Sequence, residues 1–140
     1  MKFGKESLTP IALVATPGGK ELAQLVDKAL VKRRYGKDKE KTFIVPCECP
    51  RFTNGEAKAV LYQSIRGCDV YIIADIGNYS CKFLIQGIES PMSPDDHFQD
   101  IKRVVAAIGG RADSITVIMP LLYQCLQHKR IARESFDCAL

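Results

Sequence analysis

Apolar residues recur along this chain in two periods. Ile11 to Ala15, "IALVA", is a continuous apolar run bounded by Pro10 and by Pro17-Gly18-Gly19, the pattern of a strand covered on both faces. After that turn, Leu22, Leu25, Val26, Ala29 and Leu30 follow helical spacing, which predicts an amphipathic helix over 20–34. Phe43 to Val45 opens a second strand and Ala59 to Tyr62 a third, and "DVYIIADI" at 69–76 is the strongest strand signal. From Pro94 the helical period returns, with Phe98, Ile101, Val104, Val105 and Ile108 on one face. Ser93 or Asp95 is placed to cap that helix, and Gly109-Gly110 to stop it. "SITVIMP" at 114–120 predicts another buried strand. The last residues, with Ser135, Phe136, Cys138, Ala139 and Leu140, look like the opening turns of a helix that no Gly, Asn or Pro closes.

Strands that alternate with helices, and are apolar throughout, predict an α/β domain of three layers. Its sheet is mostly parallel and flanked by helices. Ligands of such sheets bind outside the carboxyl ends of the strands. Here those ends are Thr16–Gly19, Asp75–Tyr79 and Pro120–Gln124.

Composition adds limits. The 140 residues suffice for one domain with a real core, and 46% hydrophobic with 26% charged residues is the balance of a soluble globular protein. No apolar run approaches the roughly 20 residues of a membrane span. "MKFGKESLTP" has no secretory signal pattern, so the cytoplasm is the expected compartment and no membrane partner is expected. The six cysteines are scattered, which predicts free thiols in that setting. "CEC" at 47–49 invites a metal reading, but no second Cys/His pair stands at zinc-site spacing. The net charge of +4 comes mostly from the run between Lys28 and Lys41, whose Lys37–Lys41 part alternates in sign and which lacks interleaved aromatics. It reads as a solvated helix end and loop, and no nucleic-acid partner is expected.

Four stretches carry candidate chemistry. "TPGGKEL" at 16–22 is either a tight turn that needs glycine or a strand–turn–helix cradle for phosphate, without Walker or dinucleotide-fold spacing. "SPDDHFQD" at 93–100 serves a helix dipole or gathers carboxylates for Mg²⁺, with His97 read as a surface residue. "RFTNGE" at 51–56 is a polar turn in which Phe52 is either core or an exposed ring for stacking. "LQHKRIAR" places Gln127, His128, Lys129, Arg130 and Arg133 directly after a strand, as a polyphosphate cluster or a solvated loop.

Taken in order, "RFTNGE", "SIRGCDVYIIADIGN", "DDHFQDIKRVVAAIGGRADSITVIMPLLY" and "QHKR" with the following "RES" resemble the N-terminal half of ribose-phosphate pyrophosphokinase, the phosphoribosyl pyrophosphate synthetase. The likeness is to its longer bacterial variants and runs from about Pro10 onward. It implies one of two similar domains of the type I phosphoribosyltransferase fold. The implied enzyme moves the β,γ-pyrophosphoryl group of ATP to the 1-hydroxyl of ribose 5-phosphate with Mg²⁺, for nucleotide biosynthesis. The resemblance makes "RFTNGE" an adenine-binding loop contributed across a subunit interface of a homo-oligomer. Phe52 then stacks on the base, and Asn54 and Glu56 make polar contacts. Gln127, His128, Lys129 and Arg130 fall on the segment that holds ATP phosphates, and Arg66 on a stretch linked to anion regulation.

Leu126 stands where the family carries an Arg, and a leucine cannot give an anion charge-assisted hydrogen bonds. The family's Asp-Leu-His metal and ATP segment, its ribose-phosphate loop with paired acidic residues and its flexible catalytic loop are not among these residues. The expectation is therefore a single N-terminal domain over 1–140, without the C-terminal catalytic domain and inactive alone. The alternative is a non-catalytic regulatory or assembly homologue.

Overall fold

The computed structural model describes residues 10–36, 41–126 and 131–134. Its centre is a parallel sheet of β1 (Ile11–Ala15), β4 (Asp69–Ile73) and β7 (Ser114–Ile118), in the order β1-β4-β7. Ile11 lies opposite Asp69 and Ala15 opposite Ile73, while Asp69 and Ile73 pair with Ser114 and Ile118 on the far side. Residues 43–45 line the other side of β1 through one parallel bridge, Leu13 to Ile44. Leu13 donates to Phe43 O and accepts from Val45 N, both at 2.8 Å. The second predicted strand therefore exists as a single bridge.

Side chains alternate across β1 and β4. Ala12, Val14, Val70 and Ile72 face α2 (Pro94–Ile108), where Val104 and Ile108 are fully buried. Leu13 and Ile73 face α1 (Lys20–Tyr35), where Ala23 and Val31 are buried and Leu22, Val26 and Leu30 pack around them. The helices thus cover opposite faces, which gives the three layers. Each fully buried aliphatic side chain contributes about 1.5–3 kcal/mol.

Four features differ from the sequence reading. The α1 face is rotated: Leu25 is 64% exposed and Ala29 is exposed, while Ala23 takes the closest approach. Gly19, one turn earlier, sets that approach, because the chain there lies too near β4 for a side chain. Strand β7 is exposed along its whole length rather than buried. It is the sheet's edge among the described residues, and both helices pack over β1 and β4. A hairpin of β5 (Lys82–Ile85) and β6 (Ile88–Pro91) was not anticipated. Its two-residue turn holds Gln86 and Gly87 at positive φ, 50° and 83°, as tight hairpins require. The third predicted strand shortens to β3 (Val60–Leu61), antiparallel to β2 (Cys47–Glu48).

At α2 the boundary signals act as read. The Ser93 side chain accepts from Asp96 N while Asp96 accepts from Ser93 N, a capping box, and left-handed Gly109 ends the helix. The predicted terminal helix at 135–140 lies outside the described residues.

Candidate functional site

Two places carry the candidate chemistry, and they are built in opposite ways. At the carboxyl edge of the sheet, residues 16–19 and 75–79 meet the start of α2. Thr16 N donates to Ile73 O at 3.1 Å, Asn78 Nδ2 donates to Gly18 O at 3.2 Å, and His97 Nε2 lies 3.0 Å from Asn78 O. A Cβ on Gly19 would sit 2.1 Å from Ile73 O, and one on Gly18 2.3 Å from Asp75 O. "TPGG" is therefore a close-packing turn pressed against carbonyl oxygens, which repel a phosphate rather than cradle it.

His97 corrects the sequence reading outright. It is fully buried rather than on the surface. The reason is spacing: 97, 101, 104 and 108 form one helical stripe toward the core, and the imidazole fills its first position. Its Nδ1 has no hydrogen-bond partner among the described residues.

The carboxylates of "SPDDHFQD" have structural partners. Asp96 closes the capping box. Asp95 accepts a 2.5 Å hydrogen bond from Tyr123, whose ring stacks on Phe98 with centroids 4.1 Å apart. Asp100, fully buried, accepts from Arg51 at 2.9 Å and from Arg103 at 2.7 Å. Burial pushes the Asp100 carboxyl above the ordinary range, and the two guanidiniums oppose that without cancelling it. No group of three or more His, Cys, Asp or Glu able to hold a metal occurs among the described residues.

The second place is the loop Arg51–Glu56. Arg51 and Ala57 form an antiparallel bridge, and Phe52 N donates to Glu56 O at 2.7 Å, closing the loop on itself. Asn54 Nδ2 donates to Glu56 Oε2 at 2.8 Å, and Glu56 N to Asn54 Oδ1 at 3.1 Å. The loop is also held from outside. Gln86 N donates to Thr53 O at 3.1 Å, Gly55 packs near Ile85, and Arg51 reaches Asp100 while lying 4.8 Å over the Phe83 ring. On this support the Phe52 ring stays 51% exposed beside exposed Asn54 and Glu56.

The structure thus brings Phe52, Asn54 and Glu56 together. Arg66 stands apart from them, exposed just ahead of the amino end of β4, where its N–H donates to Ser64 Oγ at 3.4 Å. Leu126 is 90% exposed. Gln127, His128, Lys129 and Arg130 lie outside the described residues. Sequence reasoning missed the Arg51–Asp100–Arg103 triad that anchors the loop. Only the placement of Asp100 on the inner stripe of α2, one turn after His97, hinted at it.

No curated protein sequence matches the chain. A family model described as the N-terminal domain of ribose phosphate pyrophosphokinase matches residues 11–140.

Proposed function

The chain belongs to the family of N-terminal domains of ribose phosphate pyrophosphokinase, a transferase family, and we propose that within it these residues supply the adenine and phosphate side of an ATP site. One observation supports this above others: an aromatic ring, Phe52, is held half-exposed on a loop fixed at both ends and underneath. A ring exposed on a rigid support costs little entropy when a base stacks on it. Asn54 and Glu56, already aligned by their mutual hydrogen bond, offer amide and carboxylate groups to the edge of the base. Gln127, His128, Lys129 and Arg130 are proposed as the phosphate-holding segment, and Arg66 as a regulatory anion contact.

The reaction is the transfer of the β,γ-pyrophosphoryl group of ATP to ribose 5-phosphate. Mg²⁺ enters with the nucleotide and neutralises phosphate charge when bound. The carboxylates of α2 do not suit it as ligands, since all three are taken by Ser93, Tyr123 and the two arginines. This chain's own part is therefore to bind and orient the base and the phosphates. Ribose 5-phosphate needs a second domain, and the 140 residues alone do not turn over. A subunit-shared loop also implies a homo-oligomer.

A second reading, a non-catalytic regulatory or assembly homologue, is favoured by Leu126, an exposed leucine where the family carries an Arg. One experiment separates the readings. Calorimetric titration with a non-hydrolysable ATP analogue and Mg²⁺ is expected to show binding, and the chain alone is expected to form no phosphoribosyl pyrophosphate. Adding a ribose-phosphate-binding domain of the family restores turnover on the first reading and not on the second. Absence of nucleotide binding would overturn the site, and turnover by the chain alone would overturn the half-site reading.

A further inference from the structure

Beside the filled part of the sheet edge, a cleft of about 270 Å³ opens at the carboxyl end of β1, between the start of α1 and residues 44–48. Parallel sheets hold their ligands outside such strand ends. The polar lining comes from Lys20 and Gln24 on the α1 wall and from Glu48 and Tyr62 on the opposite wall. Ala15 and Ile44 are among its apolar residues.

The backbone dictates why these side chains share the cleft. One antiparallel register runs from Pro46 and Tyr62 through Glu48 and Val60 to Phe52 and Glu56. Tyr62 N donates to Pro46 O at 3.0 Å, Lys58 N to Pro50 O at 3.3 Å and Phe52 N to Glu56 O at 2.7 Å. Alternate side chains of this ribbon take opposite faces. Cys47, Cys49, Ala59 and Leu61 turn to the cluster beneath α2, and Arg51 reaches Asp100 on that side. Glu48 and Tyr62 turn the other way, and Tyr62 Oη donates to the Glu48 carboxylate at 2.8 Å. On α1, Lys20 and Gln24 lie one turn apart on a single face. The two walls carry opposite charge, and neither charge is paired. Lys20 and Gln24 have no ion pair or side-chain hydrogen bond among the described residues. Glu48 accepts from a neutral phenol and meets no cation there, so acceptor capacity remains on its carboxylate. Lys20 and Glu48 thus line one cleft without bridging it.

We propose that this cleft binds a small zwitterion, an α-amino acid with a short aliphatic side chain. Its carboxylate pairs with Lys20 and Gln24, its ammonium with Glu48, and its side chain covers Ala15 and Ile44. Both ends are charge-assisted contacts, the strong kind of hydrogen bond. A plain anion or a plain cation would leave one wall's charge unmatched in a partly desolvated place, and that mismatch is the source of selectivity. The site does not depend on the nucleotide reading. Phe52 shares the ribbon face of Glu48 but lies about 13 Å further along the strand, at the ribbon's other end.

The test is a titration of the native 140-residue chain with L-valine, followed through backbone amide NMR shifts. Isovalerate and isobutylamine serve as the same skeleton without the ammonium and without the carboxylate. Valine is expected to shift the amides of Lys20, Gln24, Glu48 and Tyr62 saturably, at roughly millimolar concentration, as suits a ligand of few atoms. Isovalerate and isobutylamine are each expected to bind about tenfold more weakly or worse, the factor that follows from losing one hydrogen bond to a charged group. This comparison needs no variant and decides first. Lys20→Met and Glu48→Gln change exposed side chains, and each is expected to weaken valine binding by a similar factor while thermal unfolding stays unchanged. Absence of saturable shifts at these amides would overturn the site, as would shifts centred on Phe52. Binding of isovalerate or isobutylamine as tight as that of valine would overturn the pairing with both walls. Unchanged affinity in either variant would overturn the role given to the residue it replaces.

Discussion

The carboxyl edge of the sheet and the 51–56 loop are both polar, both glycine-containing and both candidates for ligand binding, yet their groups are used differently. At the sheet edge the chain is its own ligand. Gly18 and Gly19 lie against the carbonyls of Asp75 and Ile73, Asn78 spans to Gly18, and His97 closes the space beneath. In the loop, the backbone is held by its own bridge and by Gln86 of the neighbouring hairpin, while Phe52, Asn54 and Glu56 stay exposed. A glycine turn beside a helix start is therefore not enough to bind an anion, because the same turn can serve to bring a helix onto a sheet. The loop shows the complementary case, a rigid backbone whose side chains are left over for something else.

The largest test of this difference is Gly19→Ala. If the turn is a packing device, the added methyl meets the Ile73 carbonyl at 2.1 Å, and α1 must lift from β4 to admit it. That displacement opens the cluster around Ala23 and Leu13, and the expected loss is about 5 kcal/mol or more, in the range reserved for severe core defects. Chemical denaturation would measure it. A loss below about 1 kcal/mol would mean that the turn has room, and would return it to the list of phosphate sites.

Arg51→Ala tests how firmly the loop is anchored. It leaves Asp100 fully buried with Arg103 alone, and breaking a buried pair costs about 3–5 kcal/mol. The surviving Arg103 contact places the expectation near about 3 kcal/mol. The loss also depends on pH. Burial already holds the folded value of Asp100 above its unfolded value, near 3.9. Acidification through the carboxylate range therefore favours the folded state as far as this group is concerned. Removing Arg51 raises the folded value further, so the variant's deficit is largest at neutral pH and narrows as pH falls. Denaturation at pH 7 and pH 4.5 would show this, and a deficit that widens in acid would contradict the triad.

How much of this was legible in the sequence varies by element. β1 and β4 were plain, because a strand covered on both faces is a nearly continuous apolar run, and α2 was plain because Ser93 and Gly109 are strong boundary signals. The exposure of β7 was not legible. An apolar run records what a strand is suited to, and in the described residues no helix packs over that edge. The α1 face was misread because its apolar residues spread around the helix, and the choice among them was made by Gly19, whose lack of a side chain no periodicity count registers. The burial of His97 and Asp100 was not legible for a related reason, since polar residues on a buried stripe are set aside by any hydrophobic pattern. Phe52, Asn54 and Glu56 were singled out only through resemblance to a family, and the loop's support, the Arg51 triad and the β5–β6 hairpin, is visible only in three dimensions.

The smallest effect on stability and the most informative for function belongs to Phe52→Ala. The ring is half exposed, so its removal should change folding stability by no more than about 0.5 kcal/mol. If the ring is the adenine platform, its loss removes a stacking contact of about 1–3 kcal/mol, which weakens nucleotide binding roughly 5- to 150-fold. Exposed Tyr79 provides the counterpart at the sheet edge, where it is 59% accessible. Tyr79→Ala should leave nucleotide affinity within about twofold, because that edge is filled by the chain's own groups. Titration of both variants with the same ATP analogue compares the two regions directly. Should Tyr79→Ala weaken binding while Phe52→Ala does not, the nucleotide sits at the carboxyl ends of the strands. The exposed loop would then be a surface for another subunit rather than for a base.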